Sequence, residues 1–296
     1  MHKTVAAIAA AALAVGILSG CGSSAEPTTT VHPGHYAQVN GLNMYYEVHG
    51  EPNGLPPLVL LHGGLSSIDS TFGKILPDLA KTRQVIAIEQ QGHGRTADID
   101  RPLRYQTMAD DTVALLNTLG IRKADFFGFS DGATIGLDIG VRYPELSRKL
   151  VLTSVGYDPR GAQPGLHEGL AQLQPQVFEG TPFLAEYNRL SPRPEDFPKV
   201  VERVKDLDAH APTYSPEQIR SIQSPVLIIA ADNDIIRPEH TIEMYRLLGG
   251  GVEGTKGMPA ARLAVLPATS HLTVFDQTPL LLPIVLDFLG VSEAGR

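Results

Sequence analysis

The sequence predicts an α/β protein with a mostly parallel central sheet, helices on both faces of that sheet, and an inserted, mainly helical lid. Short apolar runs, of the kind that form strands buried on both faces, alternate with longer patterns of helical period. This alternation favours parallel strands joined by right-handed crossovers. A Gly-x-Ser-x-Gly sequence stands where one strand meets one helix. A stretch rich in Pro, Gly, Gln and charge interrupts the alternation before it resumes.

Residues 1–20 have the features of a secretory signal peptide. Lys3 supplies a positive start, and the apolar, Ala-rich run over residues 5–18 is too short for a comfortable membrane span. The Leu-Ser-Gly-Cys sequence that ends at Cys21 resembles the bacterial lipobox, which implies that Cys21 becomes the lipid-modified first residue after cleavage. The alternative is an ordinary cleaved signal with an incidental Cys. With residues 21–34 as a flexible tether, we expect an exported protein anchored by lipid to the extracytoplasmic face of the cell membrane.

Composition restricts the partners of the chain. The formal net charge is −8, so no basic surface is available to neutralise phosphate, which argues against nucleic acid and anionic membrane surfaces as partners. The lipid would then be the only contact with the membrane. Cys21 is the only Cys, so no internal disulfide can form. Zinc-binding, phosphate-binding and dinucleotide-binding motifs are absent from the sequence, and we expect neither a metal nor a cofactor.

The α/β core is predicted to comprise residues 35–156 and 216–296. It opens on a β-hairpin turned at Asn40 and Gly41, and Pro238 opens one of its later helices. The predicted strands are residues 36–39, 44–48, 58–61, 85–88, the aromatic run 125–129, 150–153, 225–230 and 263–266. The predicted helices are residues 70–81, 107–119, the segment that follows Ser130, 239–248 and 280–289.

Residues 157–215 form the predicted lid. This segment carries short helical patterns and the aromatic residues Phe178, Phe183 and Tyr187, which need burial. The strand–helix alternation resumes after it. These features favour a folded lid over the alternative of a disordered linker.

The Gly-x-Ser-x-Gly sequence places Ser130 at a sharp turn between a strand and a helix. A serine at such a turn takes a strained backbone conformation that lifts its hydroxyl clear of the sheet. Gly128 and Gly132 leave room where strand and helix nearly touch. The helix amides that begin at Asp131 favour negative charge beside Ser130.

Polar groups follow four of the predicted strands at their carboxyl ends, where the reactive side chains of a parallel sheet collect. They are Gly63 with Gly64, Ser130, Asp232 with Asp234, and His271. The chain also contains, in order, the motifs His62-Gly63-Gly64, Gly92-His93-Gly94-Arg95, Gly128-Phe129-Ser130-Asp131-Gly132, Asp232-Asn233-Asp234 and the late His271. In the order and spacing of these motifs, the chain from residue 36 to residue 289 resembles the α/β-hydrolase superfamily.

The residue types indicate nucleophilic catalysis. A serine hydroxyl is a poor nucleophile at neutral pH, so Ser130 needs a base within hydrogen-bond reach. Among the ten histidines, His271 is favoured because it alone comes just after the last strand, beyond the turn at residues 267–270. A carboxylate must hold that histidine in one tautomer. The resemblance implies Asp234 for this role, whereas Asp232 would accept hydrogen bonds from the backbone of the turn.

The oxyanion formed by attack on a carbonyl needs preorganised hydrogen-bond donors. The N–H of Asp131 comes free at the helix start, and the resemblance implies the N–H of Gly64 as the second donor. His62 is expected to orient the loop that carries Gly64. The other histidines considered for the site are His93, expected in a structural turn, and the lid residues His167 and His210, expected to face solvent.

These residues predict a serine hydrolase that cleaves a small carboxylic ester through an acyl-enzyme. One alternative is an amide or peptide hydrolase of the proline iminopeptidase type. Such relatives often carry acidic residues near the substrate amine, and the lid has four candidates: Glu168, Glu179, Glu186 and Glu195. Others are a carbon–carbon bond hydrolase and a non-catalytic ligand-binding protein on the same fold. Serine at residue 130 argues against the branches that use Asp there, such as haloalkane dehalogenases and epoxide hydrolases.

Overall fold

The computed structural model describes residues 34–251 and 259–290 of the 296-residue chain. The predicted signal peptide, Cys21 and all of the predicted tether except Gly34 lie outside the described residues.

One sheet of eight strands forms the centre of the molecule. The strands are β1 (His35–Val39), β2 (Leu42–His49), β3 (Leu58–Leu61), β4 (Val85–Ile88), β5 (Ala124–Phe129), β6 (Ser147–Thr153), β7 (Val226–Asn233) and β8 (Arg262–Ser270). They lie in the order β1-β2-β4-β3-β5-β6-β7-β8. The pairs β1–β2 and β2–β4 are antiparallel, and all later neighbours are parallel. The predicted mostly parallel α/β sheet is confirmed, with Asn40 and Gly41 at positive φ in the hairpin turn.

Helices cover both faces of this sheet. In the described part of the chain they are α1 (Ile68–Phe72), α2 (Leu76–Ala80), α3 (Tyr105–Thr118), α4 (Asp131–Arg142), α5 (Leu166–Ala171), α6 (Pro182–Leu190), α7 (Phe197–Ala209), α8 (Pro216–Arg220), α9 (Pro238–Leu247) and α10 (Thr278–Leu289). Helices α3, α4 and α9 contribute to one apolar cluster, and α1, α2 and α10 contribute to the other.

The central strands supply side chains to both clusters because successive residues of a strand point to opposite faces. In β3, Val59 and Leu61 belong to the cluster under α3 and α4, whereas Leu58 and Leu60 belong to the cluster under α1, α2 and α10. All four are fully buried. This double burial explains why the strand is a continuous apolar run in the sequence.

The prediction of a single helix over residues 70–81 is wrong. The chain forms α1, capped by the Ser67 side chain, and then a separate α2 with Pro77 in its first turn. Inside a continuous helix, Pro77 would have no N–H to donate to the carbonyl of Gly73 and its ring would clash there. In the first turn of a new helix the missing N–H costs little.

The last strand is longer than residues 263–266, and the expected turn at residues 267–270 is part of β8. The Asp232 carboxylate accepts hydrogen bonds from the backbone N–H groups of Ala268 and Thr269, each at 2.8 Å. Ala268 has a positive φ of 51°. The strand therefore continues through an irregular stretch that a side chain of β7 stabilises, and His271 follows it directly.

Helices α5, α6 and α7 lie between β6 and β7, within the predicted lid, whose boundaries stay a prediction. They have an apolar cluster of their own, formed by Leu173, Phe178, Tyr187, Phe197, Val200 and Val201. Polar contacts join this segment to the core: Arg189 pairs with Asp69 at 2.9 Å, and the Ser67 hydroxyl donates to Glu186 at 2.9 Å. The aromatic side chains of the segment are thus buried in a packed structure.

Candidate active site

Ser130 occupies a strained turn between β5 and α4. Its φ of 53° and ψ of −117° lie outside the regions that a non-glycine residue ordinarily adopts. A Cβ atom at Gly132 would overlap the carbonyl oxygen of Leu61, and one at Gly128 would overlap the backbone of Gly132. The two glycines are therefore required by the close approach of strand and helix, as the sequence motif predicted.

Three side chains from three strand ends meet at this turn. His271 Nε2 lies 3.1 Å from Ser130 Oγ, and His271 Nδ1 lies 2.8 Å from Asp234 Oδ1. Ser130 follows β5, Asp234 follows β7 and His271 follows β8. The geometry is that of a nucleophile, a base in hydrogen-bond reach, and a carboxylate that holds the base.

The hydrogen bonds around the Asp234 carboxyl favour its ionised form. Its Oδ1 accepts from Ile235 N at 2.8 Å in addition to His271. Its Oδ2 accepts from the Ser154 hydroxyl at 2.6 Å and from Ala231 N at 3.1 Å. Burial raises the pKa of this carboxyl, but the hydrogen bonds from His271, Ser154 and Ala231 outweigh burial and leave the pKa below its ordinary value.

Ser154 was not identified from the sequence. It follows β6 at the same edge of the sheet, has a positive φ of 57°, and lines the cavity described below. Its position directly after the predicted strand 150–153 is the one signal that points to it.

Asp232 takes the structural role that the sequence left open for it. Its carboxylate accepts from Ala268 N and Thr269 N and does not contact His271. These hydrogen bonds hold the end of β8, from which His271 projects. The two aspartates therefore have different roles: Asp234 contacts the histidine, and Asp232 shapes the backbone that presents it.

Gly64 and Asp131, the predicted oxyanion donors, line the same cavity as Ser130. Asp131 is the first residue of α4, so its N–H has no partner within the helix. The N–H of Gly64 donates to no acceptor among the described residues. Both donors are therefore free to bind a negatively charged oxygen beside Ser130.

His62 and His93 lie buried behind this site. His62 accepts a hydrogen bond from Gln90 N at 3.0 Å through Nε2, and its Nδ1 contacts the carbonyl of Gly63 at 2.7 Å. Burial lowers the pKa of His62 to about 3, so the ring is neutral and orients the loop before Gly64. The His93 ring packs 5.2 Å from it, with Nδ1 on the carbonyl of Gln91. Both histidines have the structural roles expected of them.

A cavity of about 1080 Å³ opens above Ser130 and His271. Apolar side chains from the 157–215 segment line much of it: Leu166, Leu170, Leu173, Phe178, Phe183, Val204 and Leu207. The cavity thus has a reactive polar floor and an apolar wall, which is the usual character of a small-molecule site.

One expectation about the lid histidines needs correction. His167 lines the cavity and is half-buried, with Asp208 on one ring nitrogen and the carbonyl of Pro159 on the other. Only His210 faces solvent as expected. The four lid glutamates considered for binding a substrate amine do not line the cavity: Glu168, Glu179, Glu186 and Glu195.

Comparisons with known proteins agree with this architecture. The family model described as alpha/beta hydrolase fold matches residues 56–213. A putative carbamate hydrolase RutD of Agrobacterium fabrum (strain C58) is 24% identical over 273 residues, covering 83% of this chain and 98% of that protein. A 2-hydroxymuconate semialdehyde hydrolase of Pseudomonas sp. (strain CF600) is 24% identical over 269 residues, covering 81% and 88%. The crystal structure of the enol-lactonase from Burkholderia xenovorans LB400 has the same fold, with a TM-score of 0.63, 20% identity and coverage of 86% and 99%.

Proposed function

The chain belongs to the alpha/beta hydrolase fold family, and we propose that it is a serine hydrolase that cleaves a carboxylic ester through an acyl-enzyme on Ser130. The observation that carries the proposal is the continuous hydrogen-bond chain from Ser130 through His271 to Asp234 on the floor of the cavity. No role in catalysis is assigned to a metal or cofactor.

In the acylation step, Ser130 Oγ attacks the ester carbonyl carbon while His271 Nε2 takes the hydroxyl proton. The carbonyl oxygen becomes an oxyanion, which the N–H groups of Gly64 and Asp131 bind. The tetrahedral intermediate then breaks its bond to the alcohol oxygen. His271 returns the proton to that oxygen, so a neutral alcohol leaves and the acyl group stays on Ser130.

Deacylation repeats the sequence with water as the nucleophile. His271 takes a proton from the water as its oxygen attacks the acyl carbon, and the same two N–H groups bind the new oxyanion. Collapse breaks the bond to Ser130 Oγ, and His271 returns the proton to that oxygen. Asp234 remains ionised throughout, and its charge stabilises the protonated imidazole in both steps.

An ester with a bulky apolar group suits the cavity best. The apolar wall formed by Leu170, Phe178 and Phe183 favours such a group on the acyl or the alcohol side. Cleavage of an N-terminal residue from a peptide is less well supported. The four lid glutamates are not in the cavity, and the lid aspartates that line it, Asp158 and Asp208, already pair with Arg160 and His167. The Burkholderia xenovorans structure is named an enol-lactonase, and a lactone is a cyclic ester, which is consistent with the ester proposal.

Carbon–carbon bond hydrolysis is the second candidate, because one relative is a 2-hydroxymuconate semialdehyde hydrolase. The carbamate hydrolase relative makes a carbamate the third substrate to assay. A panel of p-nitrophenyl esters of increasing chain length, an aryl carbamate, an aminoacyl anilide and a meta-cleavage product separates these reactions. The ester proposal requires the highest kcat/KM with an ester.

The decisive experiment is labelling with a fluorophosphonate probe, beside the Ser130→Ala variant. We expect the wild type to bind the probe covalently and to hydrolyse esters, and the folded variant to do neither. Esterase activity that survives in Ser130→Ala would refute the assignment. A folded wild type that neither reacts with the probe nor turns over any substrate would instead favour the non-catalytic binding protein.

We also propose that the mature protein is a lipoprotein anchored through Cys21. The support is the leader of residues 1–20 and the lipobox-like sequence that ends at this residue. Expressed in a bacterium that processes lipoproteins, the wild type should sediment with membranes and be released by detergent. The Cys21→Ser variant should not sediment with them. Equal membrane association of the two proteins would contradict the anchor.

A further inference from the structure

The peptide group between Gly63 and Gly64 lies beside the proposed nucleophile. A Cβ atom built on Gly63 would lie 3.5 Å from Ser130 Cβ, and one built on Gly64 would lie 2.5 Å from Asp131 Oδ2. The carbonyl of Gly63 and the N–H of Gly64 belong to one planar group and point in opposite directions. Any contact that fixes the direction of this carbonyl therefore also fixes the direction of the N–H that is proposed to bind the oxyanion.

Two side chains donate hydrogen bonds to the carbonyl oxygen of Gly63. Ser66 Oγ donates at 2.6 Å, and His62 Nδ1 donates at 2.7 Å. The hydrogen of the imidazole is on Nδ1 because Nε2 accepts from Gln90 N at 3.0 Å. Two donors on one carbonyl oxygen restrict rotation of the peptide group, and they polarise it so that its N–H becomes a stronger donor.

Thr71 holds the Ser66 hydroxyl in turn. The two hydroxyl oxygens are 3.0 Å apart, and since the one hydrogen of Ser66 is used on the carbonyl, Thr71 is the donor of this bond. Thr71 is buried in α1, and its neighbour Phe72 packs edge-to-face on Phe127 of β5, with ring centroids 5.4 Å apart. The chain of hydrogen bonds thus ends on a helix that packs on the strand leading to Ser130.

The loop that contains Gly64 needs such contacts to keep its shape. Residues 62–67 lie between β3 and α1, outside both elements. Leu65 adopts a φ of 52°, which is uncommon for a residue other than glycine and persists only where the surroundings hold it. Its side chain packs against the apolar cluster of the 157–215 segment. Side-chain contacts, and not a regular element, therefore determine where the N–H of Gly64 points.

We propose that Ser66 is a positioning residue for the oxyanion: supported by Thr71, it holds the peptide group so that the N–H of Gly64 points at the substrate carbonyl oxygen. Neither Ser66 nor Thr71 lines the cavity, so both act through the backbone and not on the substrate. This inference rests on the proposed ester hydrolysis and adds to it the two side chains behind one oxyanion donor.

Steady-state kinetics with a p-nitrophenyl ester measure the effect on turnover. Ser66→Ala should lower kcat about tenfold and change KM by less than about twofold, because the direction of the N–H matters most once the oxyanion forms. The loss is smaller than the roughly 100-fold or more expected when an oxyanion donor is removed outright. Thr71→Val keeps the shape of the side chain and should lower kcat about threefold. Ser66→Thr keeps the hydroxyl and should have a kcat near that of the wild type.

Two ketone inhibitors separate this role from a general change in the cavity. Ser130 Oγ adds to the carbonyl carbon of an alkyl trifluoromethyl ketone, its proton passes to His271, and the ketone oxygen becomes an oxyanion with no leaving group. The methyl ketone of the same chain length occupies the cavity without forming a stable adduct. In Ser66→Ala the dissociation constant of the trifluoromethyl ketone should rise about tenfold, and that of the methyl ketone should stay within about twofold.

Ser70→Ala is the matched control. Ser70 Oγ accepts from Ser67 N at 3.0 Å and makes no hydrogen bond to the Gly63 carbonyl, so this variant removes a serine hydroxyl from the same segment. Its kcat and both dissociation constants should equal those of the wild type. Wild-type kcat in a folded Ser66→Ala variant would overturn the proposal, as would equal weakening of the two ketones or an equal loss in Ser70→Ala. Should Ser66→Ala fail to fold, Thr71→Val is judged by the same criteria.

Failure of the proposed function gives a different result. A wild type that the fluorophosphonate probe does not label contradicts the serine hydrolase. A labelled, active wild type whose Ser66→Ala variant is equally active contradicts only the role of Ser66.

Discussion

The Ser154 hydroxyl donates a hydrogen bond of 2.6 Å to Oδ2 of Asp234, the oxygen that faces away from His271. Ser154 adopts a positive φ to reach it. A strained, buried serine that contacts the proposed catalytic carboxylate is a positioning residue: it fixes the orientation of Asp234 and therefore the direction from which that carboxylate holds the imidazole.

Replacement of Ser154 by Ala should lower kcat about tenfold with little change in KM, because a hydrogen bond to a charged group contributes about 1.5 kcal/mol. Steady-state kinetics on the best ester of the panel would measure the change. Ser224→Ala is the control, since Ser224 is buried and donates to the backbone of Ser147 instead of to the site. Equal kcat values in the two variants would show that Ser154 does not position the carboxylate.

The residues that could be predicted from sequence are those that follow strands directly. Ser130, Asp234 and His271 each come after an apolar run that can be located by its period, and parallel strands bring their carboxyl ends to one edge. Ser154 also follows a strand directly, but its role was missed because its partner Asp234 is 80 residues away in the chain. Tyr105 was missed because its hydroxyl donates to Asp131, 26 residues away. No local pattern encodes a hydrogen bond across such a distance.

The errors in the predicted elements have the same origin. Residues 267–270 suggest a turn on their own, and it is the carboxylate of Asp232, contributed by β7, that keeps them in the sheet. His167 has nothing in its neighbours in sequence to suggest burial. Its partner Asp208 comes from α7 and lies 41 residues away. Tertiary contacts of this kind override local propensity.

His167 has an acceptor on each ring nitrogen. Asp208 Oδ1 lies 2.9 Å from Nδ1, and the carbonyl of Pro159 lies 2.9 Å from Nε2. A neutral imidazole has only one N–H, so both hydrogen bonds form only in the protonated ring. Burial lowers the pKa of His167, but the two acceptors and the charges of Asp208 and Glu168 outweigh burial and raise the pKa above its ordinary value.

We therefore expect the stability of the protein to fall as pH rises through the folded-state pKa of His167. A raised folded-state pKa means that the stabilisation is fully present below the unfolded value and is lost above the folded value. Urea denaturation between about pH 6 and pH 9 should show this fall in the wild type and a smaller one in His167→Gln. The control His210→Gln, which changes an exposed lid histidine, should keep the wild-type slope, and a wild-type slope in His167→Gln would refute the prediction.

Asp125 lies at the base of β5, completely buried between two arginines. It pairs with Arg83, which is also fully buried, and with Arg148, whose Nε donates to it at 2.7 Å. Asp125→Ala should lower the free energy of unfolding by about 3 to 5 kcal/mol, because it leaves a buried guanidinium without its partner. The Arg262–Asp287 pair is exposed, so the control Asp287→Ala should cost at most about 1 kcal/mol. Urea denaturation of both variants tests the difference, and similar losses would contradict it.

Gly132 and Gly136 lie one turn apart on α4 and provide a matched test of the turn that presents Ser130. At Gly132 a methyl group would overlap the carbonyl oxygens of Leu61 and His62, which are backbone atoms at the end of β3. Relief of that overlap must move either α4 or the loop that leads to Gly64. Gly132→Ala should therefore lower kcat roughly 100-fold in whatever fraction of the protein folds, since a shift of about 1 Å in a reacting group has that effect.

At Gly136 the added methyl group would lie 3.1 Å from Leu152 Cδ2, the end of a side chain that would need to shift by only about a few tenths of an ångström. Ala also favours a helix interior over Gly by up to about 1 kcal/mol, so Gly136→Ala should fold and turn over ester much as the wild type does. Thermal unfolding and kcat should be measured for both variants. Gly132→Ala introduces an overlap with backbone atoms, whereas Gly136→Ala introduces a contact with a side chain, and both lie in the same helix. Equal kcat values would mean that the turn at Ser130 tolerates movement of α4, and that the close approach of strand and helix is not what fixes the position of the nucleophile.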